Sequence, residues 1–124
     1  MASPRYSKTK GRDAENAVVD YLRAQGFANV ERRRLAGAND RGDLTGLPGV
    51  VVEVKAEKSY KVKEWLREAE TERANDAADL GVVWAKIPGG TDPGQWVVMM
   101  TGETFVRECL RGWFGVVDAP TGPQ

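Results

Sequence analysis

Three side chains in this sequence combine types and spacing that could do chemistry: Asp43, Glu53 and Lys55. Asp43 follows a glycine, and the later run Val50-Val51-Val52-Glu53-Val54-Lys55 carries a carboxylate and an ammonium two residues apart. On a strand, successive side chains point to opposite faces, so Val50, Val52 and Val54 share one face and Val51, Glu53 and Lys55 the other. A strand this apolar belongs in a core, where each charge costs several kcal/mol unless it is paired or binds a metal. Pro48-Gly49 suits the centre of a tight turn that folds residues 43–47 back along the strand. A two-residue turn sets Leu47 opposite Val50 and Leu44 opposite Glu53, and brings Asp43 within one residue of Glu53. Two close carboxylates repel and invite a hard divalent cation with oxygen ligands. A buried structural ion pair between Glu53 and Lys55 is the other account of the same residues.

Composition narrows the chemistry. The 124 residues fit one domain with a modest core, and 41% hydrophobic with 29% charged content is globular. The chain has no histidine, which excludes Ser-His-Asp and Cys-His nucleophile pairs, histidine general bases and His-ligated metals. Cys109 is the only cysteine, so an internal disulfide is impossible and zinc lacks its usual ligands. Hydrolysis, if any, must run on carboxylates, lysine and a metal. No apolar run reaches membrane-span length and no apolar signal region opens the chain, so the expected location is the cytoplasm. Net charge is zero, but residues 1–41 hold nine Lys/Arg against five Asp/Glu, a net of +4, and the remainder balances it at −4. That asymmetry predicts a basic face on an otherwise acidic protein, with ordinary solvated charge as the alternative.

The elements that must position these residues follow from spacing. Residues 1–9 read as a flexible basic arm, 10–115 as one domain and 116–124 as a Pro/Gly-rich flexible tail. Apolar residues at Ala14, Ala17, Val18, Tyr21 and Leu22 predict a helix over 11–25, ended by Gly26 at C′. Glu15 shares the face of Val18, Val19 and Leu22, so its carboxylate should point to the core or a cleft. Residues 27–35 read as a strand with Arg32, Arg33 and Arg34 consecutive, a grip for phosphates or the charge protecting an edge. A loop over 36–42 follows. Residues 62–80 read as a helix capped by Gly81, with Val62, Trp65, Leu66, Ala69 and Ala77 inward and Glu64, Arg67, Glu68, Glu70, Glu72 and Arg73 solvated. Strands over 82–87, ending near Lys86, and 95–100 precede a helix capped at its N-terminus by Thr101. The order α-β-β-β-α-β-β-α predicts an α/β fold with a central mixed sheet flanked by helices.

The pattern Asp43, then Glu53-Val54-Lys55, behind a Glu15-bearing helix resembles the PD-(D/E)XK nuclease superfamily. A narrower resemblance runs from about Lys10 to about Leu110. Lys10-Gly11, Ala14-Glu15, Tyr21-Leu22 and Gly26-Phe27, followed by the Arg-rich strand, Gly37, Asp43 and the Glu53/Lys55 pair, are similar to the archaeal-type Holliday junction resolvases and related bacteriophage proteins. Such a resemblance implies a restriction-endonuclease-like fold and a homodimer that nicks four-way DNA junctions using Mg²⁺, with Mn²⁺ substituting. It implies Asp43, Glu53 and the Val54 backbone carbonyl as metal ligands, and Glu15 binding through water or holding a second metal. Lys55 would orient the attacking water or the phosphate; acting as general base would need a lowered pKa. Lys10, Arg12, Arg32, Arg33, Arg34 and Lys86 would contact flanking phosphates. The loop Ala36-Gly37-Ala38-Asn39-Asp40 lacks the hydroxyl residue usual in that family, and the chain is neutral where the family is basic. Another endonuclease of the superfamily, cutting branched or restriction-like substrates, and a catalytically silent DNA-structure-binding protein are the alternatives. Trp84, Trp96, Trp113 and Phe114 could serve a dimer interface or the core.

Overall fold

A computed structural model describes residues 4–34 and 42–117, with side chains from Thr9 onward. Residues 1–3, 35–41 and 118–124 lie outside the described residues, and with them most of the expected loop over 36–42 and of the expected tail. Helix α1 (Pro4–Ala24) starts well before the expected boundary, so most of the segment read as a flexible arm is helical. Proline is tolerated there because a first-turn N–H has no intrahelical acceptor to lose. The helix buries Ala14, Val18, Val19 and Leu22. It ends as its spacing predicts: Gly26 N–H donates to Arg23 O at 3.1 Å and Phe27 N–H to Leu22 O at 3.0 Å, with Gly26 at φ +106°.

The expected strand over 27–35 shrinks to β1 (Glu31–Arg32), paired antiparallel with β2 (Leu44–Thr45). Among the described residues of that stretch only Val30 is fully buried, and Phe27 lies half exposed. Without an apolar alternation the segment has no face to bury and forms no longer strand. The main sheet has the order β3-β4-β5. Its strands are β3 (Val50–Lys55), β4 (Leu80–Ala85) and β5 (Val97–Met99). β3 and β4 run parallel from Val50↔Leu80 to Lys55↔Ala85, joined by α2 (Val62–Asn75), and β5 lies antiparallel to β4. A 3-10 turn at Pro93–Gln95 shortens the last strand.

Helix α2 stops five residues early. Asn75 ends it, Ala77 takes a left-handed φ of +52°, and Ala78 N–H closes on Arg73 O at 2.9 Å. Gly81, read as a cap, sits inside β4; a Cβ there would lie 2.9 Å from Ala69 O, so its lack of a side chain lets α2 approach the strand. Ala77 is exposed rather than inward. At the C-terminus, α3 (Gly102–Phe105), a π-helical Val106–Leu110 and α4 (Arg111–Phe114) follow one another, and the Thr101 hydroxyl accepts from Thr104 N–H at 3.2 Å as its cap.

The core divides across the sheet. Val52 and Val54 pack with Ala14, Val18 and Leu22 of α1, while Val83 and Ala85 pack with Trp65 and Ala69 of α2. The result is a mixed α/β arrangement of a three-stranded mixed sheet and a two-stranded antiparallel one, flanked by helices. Among the described residues no helix is long and apolar enough to cross a membrane.

Candidate active site

The segment carrying Asp43 is clipped against β3. Leu47 O accepts from Val50 N–H at 3.0 Å, closing the tight turn around Pro48-Gly49. Gly42 is buried at φ +93°, and a Cβ there would stand 2.7 Å from Val51 Cγ1 and 3.2 Å from Val52 O. Only glycine lets the chain pass that close in that conformation. One residue later, Asp43 N–H donates to Val52 O at 3.0 Å and Asp43 O accepts from Arg33 N–H at 2.8 Å. The Asp43 side chain completes the clip: its Oδ2 accepts from Val54 N–H at 2.7 Å. Asp43 thus lies beside Glu53, held by the backbone on both sides, as the turn geometry predicts.

Glu53 and Lys55 occupy the face of β3 opposite the valines of α1. Glu53 is 8% exposed. Lys55 Nζ lies 3.5 Å from Glu53 Oε1, 2.8 Å from Glu68 Oε2 on α2, and 5.8 Å from the centre of the Trp65 ring. Burial alone would lower the Lys55 pKa, but the Glu68 hydrogen bond and the charges of Glu53, Glu68 and Asp43 outweigh it and hold the ammonium above the ordinary lysine value. The ammonium form suits orienting an anion or a water. Backbone direction adds a fourth group. Lys55 O accepts from Lys86 N–H on the β4 side at 2.8 Å. Carbonyls alternate between strand edges, so Val54 O points to the other edge, where Asp43 sits.

The structure does not bring Glu15 into this group. Its Oε1 accepts from Arg32 Nε at 2.9 Å, which ties the exposed Arg32 to α1. Among the described residues no cluster of three or more carboxylates has metal-holding geometry. Asp43, Glu53 and the Val54 carbonyl still fit Mg²⁺ in donor chemistry: all are hard oxygens, and Mg²⁺ keeps several waters beside one or two carboxylates. Asp43, Glu53 and Glu68 all act on the Lys55 ammonium. Arg33 is half-buried, reaching Leu44 O at 3.5 Å and Asp76 at 4.0 Å, whereas Arg34 and Arg12 are exposed. Lys10 and Lys86 line one cleft.

Glu68 and Glu72 are the residues that spacing should have exposed and hydropathy concealed. They lie three and seven positions after the buried Trp65, on its helical face; Glu72 is 4% exposed, and Glu68 reaches Lys55. Sequence alone reads both as part of the solvated face. Trp96 is buried and Trp84 packs edge-on against Tyr21 at 5.9 Å, so core packing accounts for those two, while Trp113 and Phe114 are exposed. Comparison with protein-family models, curated proteins and solved structures found no match.

Proposed function

We propose that this chain is a Mg²⁺-dependent endodeoxyribonuclease of the PD-(D/E)XK type, acting as a homodimer on four-way DNA junctions. The observation that carries the proposal is the clip: Val54 N–H holds the Asp43 carboxylate beside Glu53, with Lys55 on the same strand. A bound Mg²⁺ supplies Lewis-acid polarisation of a phosphodiester and a water of lowered pKa. Asp43, Glu53 and the Val54 carbonyl would hold it. The Lys55 ammonium orients the anionic phosphate and offsets charge that develops on its oxygens. Glu68 holds Lys55 in place and keeps it protonated. Exposed Arg34 and Arg12, with Lys10 and Lys86, provide phosphate contacts, which position a duplex without reading its sequence.

The 2.8 Å Lys55–Glu68 bond favours one second reading, a structural ion network in a DNA-binding protein that does not cut. The test is incubation of the protein with end-labelled four-way junction and matched duplex, in Mg²⁺ or chelator, beside Glu53→Ala. Paired, Mg²⁺-dependent nicks in the junction alone, lost in the variant, are expected. Cleavage of both substrates would keep the chemistry and remove the junction specificity. Tight binding with no cleavage in any divalent metal would leave the second reading.

A further inference from the structure

A cleft of about 190 Å³ opens at the carboxyl ends of the parallel strands β3 and β4. Lys10 of α1, Lys58 from the segment after β3 and Lys86 just past β4 line it, with Glu57 as the one carboxylate. Its walls are fixed. Lys86 N–H donates to Lys55 O at 2.8 Å, and the Tyr60 hydroxyl donates to Lys86 O at 2.7 Å. Burial pushes the Tyr60 phenol pKa up, which keeps it a donor. Lys86 Nζ stands 5.9 Å from the centre of the Trp96 ring, whose Nε1–H is tied to Gly90 O at 3.2 Å. Three ammonium groups drawn from separate elements, against one carboxylate, make a concave seat of net positive charge. The carboxyl end of parallel strands is also where open α/β sheets receive ligands.

We propose that this cleft seats one backbone phosphate of bound DNA, displaced along the strand from the phosphodiester held at Asp43 and Glu53. The proposal rests on the nuclease reading and adds Lys58 to its contacts. Ala56, which lines the cleft, is three residues beyond Glu53, about 10 Å of strand, close enough for one nucleic-acid backbone to reach both. Acidic and basic centres then divide the work, one for the metal and one for the phosphate chain. Lysine suits the second role as a mobile point charge that needs no bidentate geometry.

The test is DNA binding in chelator, which separates it from catalysis. Fluorescence anisotropy of labelled junction is followed through a salt series for the wild type and Lys58→Gln/Lys86→Gln. Lys63→Gln/Arg67→Gln serves as control, removing two exposed charges from the outside of α2. Each lost phosphate contact flattens the log–log salt slope by about 0.9. The cleft variant should therefore be shallower by about 0.9 and the control unchanged, with Lys58→Arg/Lys86→Arg restoring the slope. A cleft variant matching the wild type, or a control that falls as far, overturns the proposal while leaving the nuclease reading intact. A wild type that binds no DNA removes the nuclease reading itself. Chemical-shift changes at Lys58 and Lys86 with inorganic phosphate would, in that case, mark a free-phosphate site and overturn the DNA assignment.

Discussion

The two faces of β3 are equally sheltered and chemically opposite. Toward α1, Val52 and Val54 meet Val18 and Leu22, and nothing there requires orientation beyond shape. Toward α2, the same six residues present Glu53 and Lys55, with Lys55 reaching Trp65 and Glu68. Burying an aliphatic side chain contributes about 1.5–3 kcal/mol, whereas each sheltered charge costs energy that its partners only partly return. The aliphatic face holds the strand so that the polar face can carry charges in fixed positions. Such division is expected of a strand that does chemistry and wasteful in one that only spans a core. Asp43, on the strand edge, joins the polar side because Gly42 lets it.

The comparison breaks most visibly in activity. Glu53→Gln and Asp43→Asn keep shape and remove one negative charge each; cleavage in Mg²⁺ should fall by at least about 10²-fold in either. Val52→Ala, one residue away on the aliphatic face, should lower the melting temperature and leave the rate of properly folded protein within a few-fold. Equal losses in all three, measured below the melting point of the weakest variant, would show that the two faces are not functionally distinct.

Stability gives the next largest effect. Lys55→Met removes the ammonium on which Asp43, Glu53 and Glu68 all act, and taking that partner from the buried Glu53 should cost up to about 3 kcal/mol in denaturant unfolding. Adding Glu53→Gln removes one stranded charge and should recover part of that loss, a coupling readable in a double-mutant cycle. A neutral Lys55→Met would mean that the carboxylates are compensated without Lys55.

Much of this division is legible in the residues themselves. Period-two alternation separates Val52 and Val54 from Glu53 and Lys55, and Pro48-Gly49 announces the turn that returns Asp43 to the strand. Gly26 and Thr101 mark helix ends because their cap chemistry is local. What escapes is set by partners across space. Glu68 and Glu72 share the face of Trp65, but a charged residue counts as solvated until a counter-charge such as Lys55 is placed above it. Glu15 has the carboxylate and the inward face expected of a metal ligand. One of three adjacent arginines captures it, and sequence does not say which. The end of α2 is hidden for another reason: alanine at Ala77 gives no sign of a left-handed turn.

Ala77 offers a test that should touch neither face. It occupies at the end of α2 the position that Gly26 fills at the end of α1, with the same backbone closure but an unfavourable φ of +52°. A non-glycine residue there costs about 1 kcal/mol, and its side chain is exposed. Ala77→Gly should raise unfolding free energy by up to about 1 kcal/mol and leave cleavage unchanged. A changed cleavage rate would tie the end of α2 to the placement of Glu68.

The smallest effect sharpens the contrast between sheltered and open charge. Arg73 grips Glu70 on the outside of α2, with Nη2 2.6 Å from Oε1, and the Glu70 side chain is 56% exposed. The Arg73 hydrogen bond, opposed by slight burial and helped by the Arg73 and Arg107 charges, holds the Glu70 pKa below the ordinary value. A carboxylate with a lowered folded-state pKa stabilises fully above its unfolded value of about 4.3, and that contribution fades as pH falls through the folded value. Glu70→Gln should therefore cost only about 0.3–0.5 kcal/mol at pH 7. The gap from wild type should close on acidification below pH 4 and shrink in 1 M salt, where the screening length is about 3 Å. The Lys55→Met loss should persist in the same salt, because its charges are sheltered beneath Trp65 and α2. If both losses vanish together in salt, the polar face of β3 is open to solvent ions and the contrast with its aliphatic face is one of composition alone.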